Sequence, residues 1–172
     1  SLVYGSQGAT SLDLVPLLAF EMLGLDVKAV FGMKGRAGGR KAFMTGETNI
    51  DYQTSAAYLS KVVPLVEEGS AIPIMSWGSL DDDGNLIRDP NFPDLPHFAE
   101  VYEQVKGEKP SGLQFDAWKA FFVAGFPAQK FMVVPKETPD DVVKTYQDAI
   151  RAMFEDPEYI ANKDEKIGTY PQ

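Results

Sequence analysis

Apolar residues recur along the first eighty positions with two alternating spacings. Leu2-Val3-Tyr4 is a short apolar run that ends at Gly5-Ser6-Gln7-Gly8. Leu14, Leu17, Leu18 and Met22 then fall at helical spacing, and Gly24 closes that helix. Thr10 and Ser11 are expected to open it. Residues 26–31 read as a second strand, 32–39 as a glycine-rich loop and 41–44 as helical. Residues 49–53 read as a third strand. Thr54 or Ser55 then caps a helix carrying Ala57, Leu59, Val62, Val63 and Val66. Residues 71–77 read as a fourth strand. Pro16 and Pro64 lie inside predicted helices and each removes a backbone donor, so kinks or shifted boundaries are expected.

The repetition of strand, loop and helix predicts an α/β fold with a mainly parallel sheet flanked by helices. In such sheets ligands bind beyond the carboxyl ends of the strands, where the loops gather. From residue 79 to 96 the pattern lapses into turns, through Asp81-Asp82-Asp83-Gly84, Asp89-Pro90 and Pro93 to Pro96. A short helix is predicted over 97–105 and a linker over 106–112. Residues 115–122 fit helix and strand equally, and 131–134 read as strand. Thr138-Pro139-Asp140-Asp141 carries a cap, a proline and two acids, a strong helix start. Asp156-Pro157-Glu158 starts a second helix in the same way.

Composition narrows the function. The 172 residues are 44% hydrophobic and 12% aromatic, enough for a sizeable core and unlike a disordered chain. Sixteen Lys and Arg stand against 25 Asp and Glu, a formal charge of -9. That field repels phosphate backbones and anionic lipid, so nucleic acid is not an expected partner. There is no cysteine and one histidine, His97, which excludes thiolate chemistry and histidine-rich metal sites. No apolar run approaches the roughly 20 residues that span a bilayer, so direct membrane insertion is not expected. The chain opens at Ser1, already in a strand pattern. A trimmed chain is therefore expected, in which a missing signal peptide says nothing about export.

Two loops could carry chemistry. Gly5-Ser6-Gln7-Gly8-Ala9-Thr10-Ser11 follows a strand and precedes a helix. Small residues permit close approach, and unpaired amides at a helix start favour a negative charge, so the stretch reads as an anion or carboxylate cradle. On spacing alone the plain strand-to-helix turn with a Ser/Thr cap is the more common form of such a stretch. It is neither a Walker loop nor a nucleophile elbow, since no Gly-Lys-Ser/Thr follows and Tyr4 stands at the first glycine position of G-x-S-x-G. Residues 32–41 form a locally basic second loop, either another cradle assisted by Lys34 or Arg36 or a solvated turn before a basic helix face. Residues 79–90 superficially resemble a calcium loop, but Pro90 stands where a bidentate Glu is required. No nucleophile, base and orienter assemble, so no catalytic residues, metal or cofactor are expected.

Five segments together resemble one family. They are Tyr4 to Ser11; Lys34-Gly35 with Gly46-Glu47 ahead of a strand; Phe92-Pro93-Asp94-Leu95-Pro96-His97-Phe98-Ala99-Glu100; Val134-Pro135-Lys136-Glu137-Thr138-Pro139; and Asp156-Pro157-Glu158. This order is similar to the tripartite tricarboxylate transporter substrate-binding receptors, the TctC or Bug family. The resemblance implies a periplasmic binding protein type II-like fold, of which this chain would be a fragment. Residues 1–113 would be most of the second lobe. Residues 114–172 would be the hinge return and C-terminal helices, belonging partly to a first lobe whose opening segment precedes Ser1. It implies capture of a small carboxylate, such as a di- or tricarboxylate or an amino or aromatic acid, for delivery to membrane permease subunits. The implied location is periplasmic or extracytoplasmic and membrane-tethered, and the implied role is not enzymatic.

Carried over by position, Ser6, Gln7, Gly8, Ala9, Thr10 and Ser11 match the family's carboxylate loop. Lys34, Gly35 and Arg36 match the next cleft loop, and Thr54 and Ser55 a cleft-facing turn. The sequence departs from the family at Asp13, where a His is frequent, at the basic Arg36 and Arg40, and at His97. Weak or absent ligand binding is expected without the missing lobe. The rival expectation is an α/β enzyme that binds a phosphorylated small molecule at residues 5–11. A third is an interaction module that uses residues 79–96.

Overall fold

The computed structural model describes residues 1–81, 83–126 and 132–167. Its elements run β1 (Leu2–Ser6), α1 (Leu14–Leu23), β2 (Val27–Phe31), α2 (Gly35–Met44) and α3 (Ser55–Ala57). A π-helical turn (Tyr58–Val62) leads into α4 (Val63–Glu67). The hairpin β3 (Ser79–Leu80) and β4 (Leu86–Ile87) follows, then α5 (Phe98–Lys106), α6 (Gly112–Gly125), α7 (Asp140–Glu155) and α8 (Pro157–Ile167). The chain is mixed α/β, with a small parallel sheet among helices.

β1 and β2 pair in parallel, from Leu2 opposite Val27 to Ser6 opposite Phe31, with α1 as the crossover. Ile50 forms a parallel bridge to Tyr4, which puts residues 49–50 beside β1. Asn49 N and Ile50 N both donate to Val3 O at 3.0 Å. The predicted third strand thus shrinks to one bridge. Among the described residues the predicted fourth strand, residues 71–77, pairs only at Ser76, which bridges His97. Of the strand expected over 131–134, Phe131 lies outside the described residues and 132–134 form no strand.

Helix boundaries moved for identifiable reasons. α1 begins at Leu14 rather than at Thr10, because residues 8–12 close tight turns on themselves, Ser11 N donating to Gly8 O and Leu14 N to Ser11 O. Pro16 occupies the third residue of α1, where a backbone N–H would have no partner in the helix anyway. Gly24 ends α1 in the left-handed region, at φ 71°. Pro64 marks the expected break, since α4 restarts beside it after the π-helical turn. α2 begins at Gly35, six residues before the predicted helix. α7 begins at Asp140 with Pro139 as its cap residue, one position later than the Thr138 signal implied.

The region that fitted helix and strand equally is α6. Its aromatic residues Phe115, Trp118 and Phe122, with Phe126 just beyond it, recur at helical spacing and stack at 5.8, 5.1 and 5.4 Å between centroids. They pack with Phe98 of α5 and with Val15, Ala19, Met22 and Leu23 of α1 into the main core. A second cluster of Tyr4, Phe20 and Tyr52 joins α1 to the sheet. The boundary expected at 113/114 falls in the first turn of α6, and α6 packs on α1. α7 packs against α8 and buries none of its own residues.

Candidate functional site

The carboxyl ends of β1, β2 and the segment at 50–53 point to one side of the sheet, and a buried ionic cluster ties their loops together. Asp13, the last residue before α1, has no exposed surface. Its Oδ2 accepts from Ser6 Oγ at 2.9 Å, from Gln7 N at 2.5 Å and from Arg36 Nη2 at 2.6 Å. Arg36 Nη2 also lies 2.6 Å from Oδ1, but without the angle of a hydrogen bond. A carboxylate buried this way is tolerated only when it is paired and bonded, as here.

Arg36 comes from the first turn of α2. A guanidinium carries five N–H donors. Nη2 uses one on Asp13. Nη1 donates to Tyr4 Oη at 3.1 Å and to Tyr52 O at 3.3 Å. The Gln7 carboxamide, with its oxygen turned toward the guanidinium, accepts from Nε at 2.8 Å and Nη2 at 2.9 Å. All five donors are therefore spent on the protein. The guanidinium carbon also sits 5.0 Å from the centroid of the Tyr52 ring. Gln53 Nε2 donates to Arg36 O at 3.0 Å, and Arg40 Nη1 donates to Gln53 Oε1 at 3.1 Å. Burial, the largest influence on Tyr4, raises its phenol far above the ordinary tyrosine range.

This arrangement corrects the expected anion cradle. Gln7 N is taken by Asp13, Gly8 N by Ser6 Oγ at 3.1 Å and Ser11 N by Gly8 O at 3.3 Å. Ser11 Oγ donates to Gly8 O and accepts from Asp13 N. Gly35 N donates to Met33 O at 3.1 Å. The loop does surround an anion, but that anion is the protein's own Asp13. Ser6, Gln7, Gly8, Ser11, Gly35 and Arg36 are thus committed internally. Ala9, Thr10 and Lys34 are exposed, and Thr54 and Ser55 are half-buried. Ser55 Oγ makes only a long contact of 3.5 Å to Asp89 Oδ2.

The structure separates the predicted residues into two groups. Ser6, Gln7 and Arg36 meet at Asp13. Thr54 and Ser55 instead border a groove of about 470 Å³ with Ile50, Tyr52, Trp77 and Phe126, which residues 6–11 and 34–36 do not line. Sequence reasoning missed Tyr4, Asp13, Tyr52 and Gln53 as members of the cluster. The available signal was an aspartate breaking the apolar run from Leu12 to Leu25, together with an arginine in a glycine-rich loop.

A second network fixes the entry to α5. His97 Nδ1 accepts from Glu100 N, while Glu100 Oε2 accepts from His97 N at 2.8 Å, a capping box with histidine as the cap. Arg88 clamps the same carboxylate through Nε and Nη2 at 3.0–3.1 Å. Burial, ahead of the other influences, lowers the pKa of His97, and the Arg88 bond does the same for Glu100. In the 79–90 turn, the Asp81 carboxylate is spent on its own loop, accepting from Asp83 N, Asn85 N and Asn85 Nδ2. No family model, no curated protein and no solved structure matches the chain.

Proposed function

We propose that the chain is part of an extracytoplasmic solute-binding receptor of the tripartite tricarboxylate type, periplasmic binding protein type II-like in fold. Its role would be to present a small carboxylate to membrane permease subunits. The observation that supports this reading is the Arg36–Asp13 clasp. It holds three loops at the carboxyl ends of parallel extended segments, the place where open α/β sheets receive ligands. A rigid loop set costs a ligand little ordering entropy.

The committed groups limit how the ligand is held. Neither the Arg36 guanidinium nor the amides of Gln7, Gly8 and Ser11 are offered to it. The receiving groups are therefore Thr10 and Lys34, since Thr54 and Ser55 border the separate groove beside Asp89. One exposed lysine and one hydroxyl give weak binding, with Kd of about 1 mM for this chain.

An amide NMR titration with succinate, citrate, glutamate and benzoate tests the reading. Perturbations are expected at Ala9, Thr10 and Lys34, and not at Thr54 and Ser55, which line the separate groove. Lys34→Ala should weaken binding by up to about fivefold, as loss of an exposed charge does. Silence at these amides in the presence of about 20 mM acid, well above that Kd, would refute it.

A further inference from the structure

Residues 71–77, Ala-Ile-Pro-Ile-Met-Ser-Trp, carry a strand pattern, but among the described residues only Ser76 is paired, with His97. Ile72 and Ile74, two positions apart, are 84% and 72% exposed. Residues spaced by two share one face of an extended chain. The N–H groups of Ile72, Ile74 and Met75 have no hydrogen-bond partner among the described residues. These residues form one wall of the 470 Å³ groove, and residues 49–53 line it as well. Tyr52, Trp77 and Phe126 contribute a continuous aromatic lining, with Tyr52 6.0 Å from Trp77 and 5.6 Å from Phe126.

The groove's charge has one sign. Asp51 and Asp89 line it, and among the described residues no lysine, arginine or histidine does. Asp51 Oδ2 accepts from Gln53 Nε2 at 2.7 Å, while Oδ1 is buried against Gly39 and has no hydrogen-bond partner among the described residues. Asp89 Oδ1 accepts from Asn91 N and Nδ2.

We infer that this groove receives an extended peptide segment, apolar at alternate residues and basic at the end that meets Asp89, whose Oδ2 makes only the long contact to Ser55 among the described residues. A compact apolar molecule would cover the isoleucines, but it would take the N–H groups of Ile72 and Ile74, which share one edge of the extended segment, out of water without replacing their bonds. That loss costs about 1–3 kcal/mol per group. An added strand buries the isoleucines and accepts from the amides together, as in strand addition to a sheet edge. The inference is independent of the carboxylate reading, since it uses none of Thr10 or Lys34.

The experiment uses the whole chain and the synthetic peptide Lys-Val-Thr-Val-Thr-Val-amide. Amide hydrogen exchange is followed by NMR at a peptide concentration about ten times the measured Kd. Exchange at Ile72 and Ile74 should slow by about tenfold. A peptide of the same sequence N-methylated at every residue, whose methyl groups keep both edges from pairing, should give no protection, and the Lys→Glu peptide should bind more weakly. Ile74→Asp, at an exposed position, should abolish binding and leave the fold intact. Equal protection by the N-methylated peptide, equal binding of the Glu peptide, or no protection at all would overturn the inference. Self-association of the chain through residues 71–77, seen by sedimentation without peptide, would overturn it too, because a second copy would then be the occupant.

Discussion

Replacing Arg36 with methionine removes the cation that compensates Asp13 while keeping an unbranched apolar side chain in its place. Asp13 would then stay at zero exposure with only Ser6 Oγ and Gln7 N as donors. Removing one partner of a buried pair costs about 3–5 kcal/mol, because the remaining charge is left uncompensated. An exposed pair would cost about 0–1 kcal/mol. The Arg36 side chain is 13% exposed and Asp13 is not exposed, so the buried figure applies. For a chain of this size that loss lowers Tm by roughly 6–20 °C. Urea denaturation of the wild type, Arg36→Met, Asp13→Asn and the double variant gives a double-mutant cycle. A coupling energy of about 1–3 kcal/mol is expected between the two positions. Arg36→Lys should recover only part of the loss, because an ammonium cannot reach Gln7, Tyr4 and Tyr52 as a planar fork does. If Arg36→Met costs less than about 1 kcal/mol, or the coupling is near zero, the guanidinium is effectively solvated. The internal-anion account of this loop would then be wrong.

Further outcomes follow from other parts of the molecule. The pKa of His97 is held below its ordinary value near 6.5, so its contribution to stability is present above that value and is lost as pH falls toward the folded-state value. Wild-type stability should therefore drop between pH 7.5 and 5.5 in denaturant melts, and His97→Asn, which keeps a capping side chain, should flatten that slope. Trp118→Ala should cost about 3–5 kcal/mol, as expected for an aromatic residue with no exposed surface. Trp118→Phe should cost far less, because Trp118 Nε1 has no hydrogen-bond partner to lose; equal costs would refute the packing account. Gly78 has φ 90°, and a Cβ there would lie 2.7 Å from Ile87 O, so Gly78→Ala should destabilise by about 1–3 kcal/mol and disturb the β3–β4 hairpin amides.

Elements set by local pattern were legible in the sequence. The apolar spacing around Leu14 to Met22, the strand at Val27–Phe31 and the Asp156-Pro157-Glu158 start all lie close to their predicted places. In the last, Asp156 Oδ1 accepts from Glu158 N and Tyr159 N, as a cap should. Elements that depend on partners far along the chain were not legible. Residues 71–77 have strand composition, yet pairing requires a neighbour, and only Ser76 finds one. The 115–122 stretch fitted two periods until the stacking of Trp118 on Phe122 and the contact with Phe98 chose the helix.

The candidate site failed to read out for the same physical reason, and the failure bears on how such loops are interpreted. Glycine, serine and free amides after a strand do indicate that the backbone accommodates a negative charge. They do not indicate whether the charge belongs to a guest or to the chain. Here the deciding residue is Asp13, only a few positions downstream, but its cation arrives from Arg36, 23 residues further on. With aspartate at this position, the donors of Ser6 and Gln7 converge inward and the loop becomes a structural joint. A small neutral residue there would leave Ser6 Oγ, Gln7 N and one Arg36 Nη2 donor facing a common vacancy. Asp13→Gly should therefore lose stability and at the same time gain affinity for a free carboxylate. Acetate in the titration buffer should raise the variant's Tm in a concentration-dependent way and leave the wild type unmoved. Equal responses of the two proteins would show that the loop was never organised around that oxygen pair.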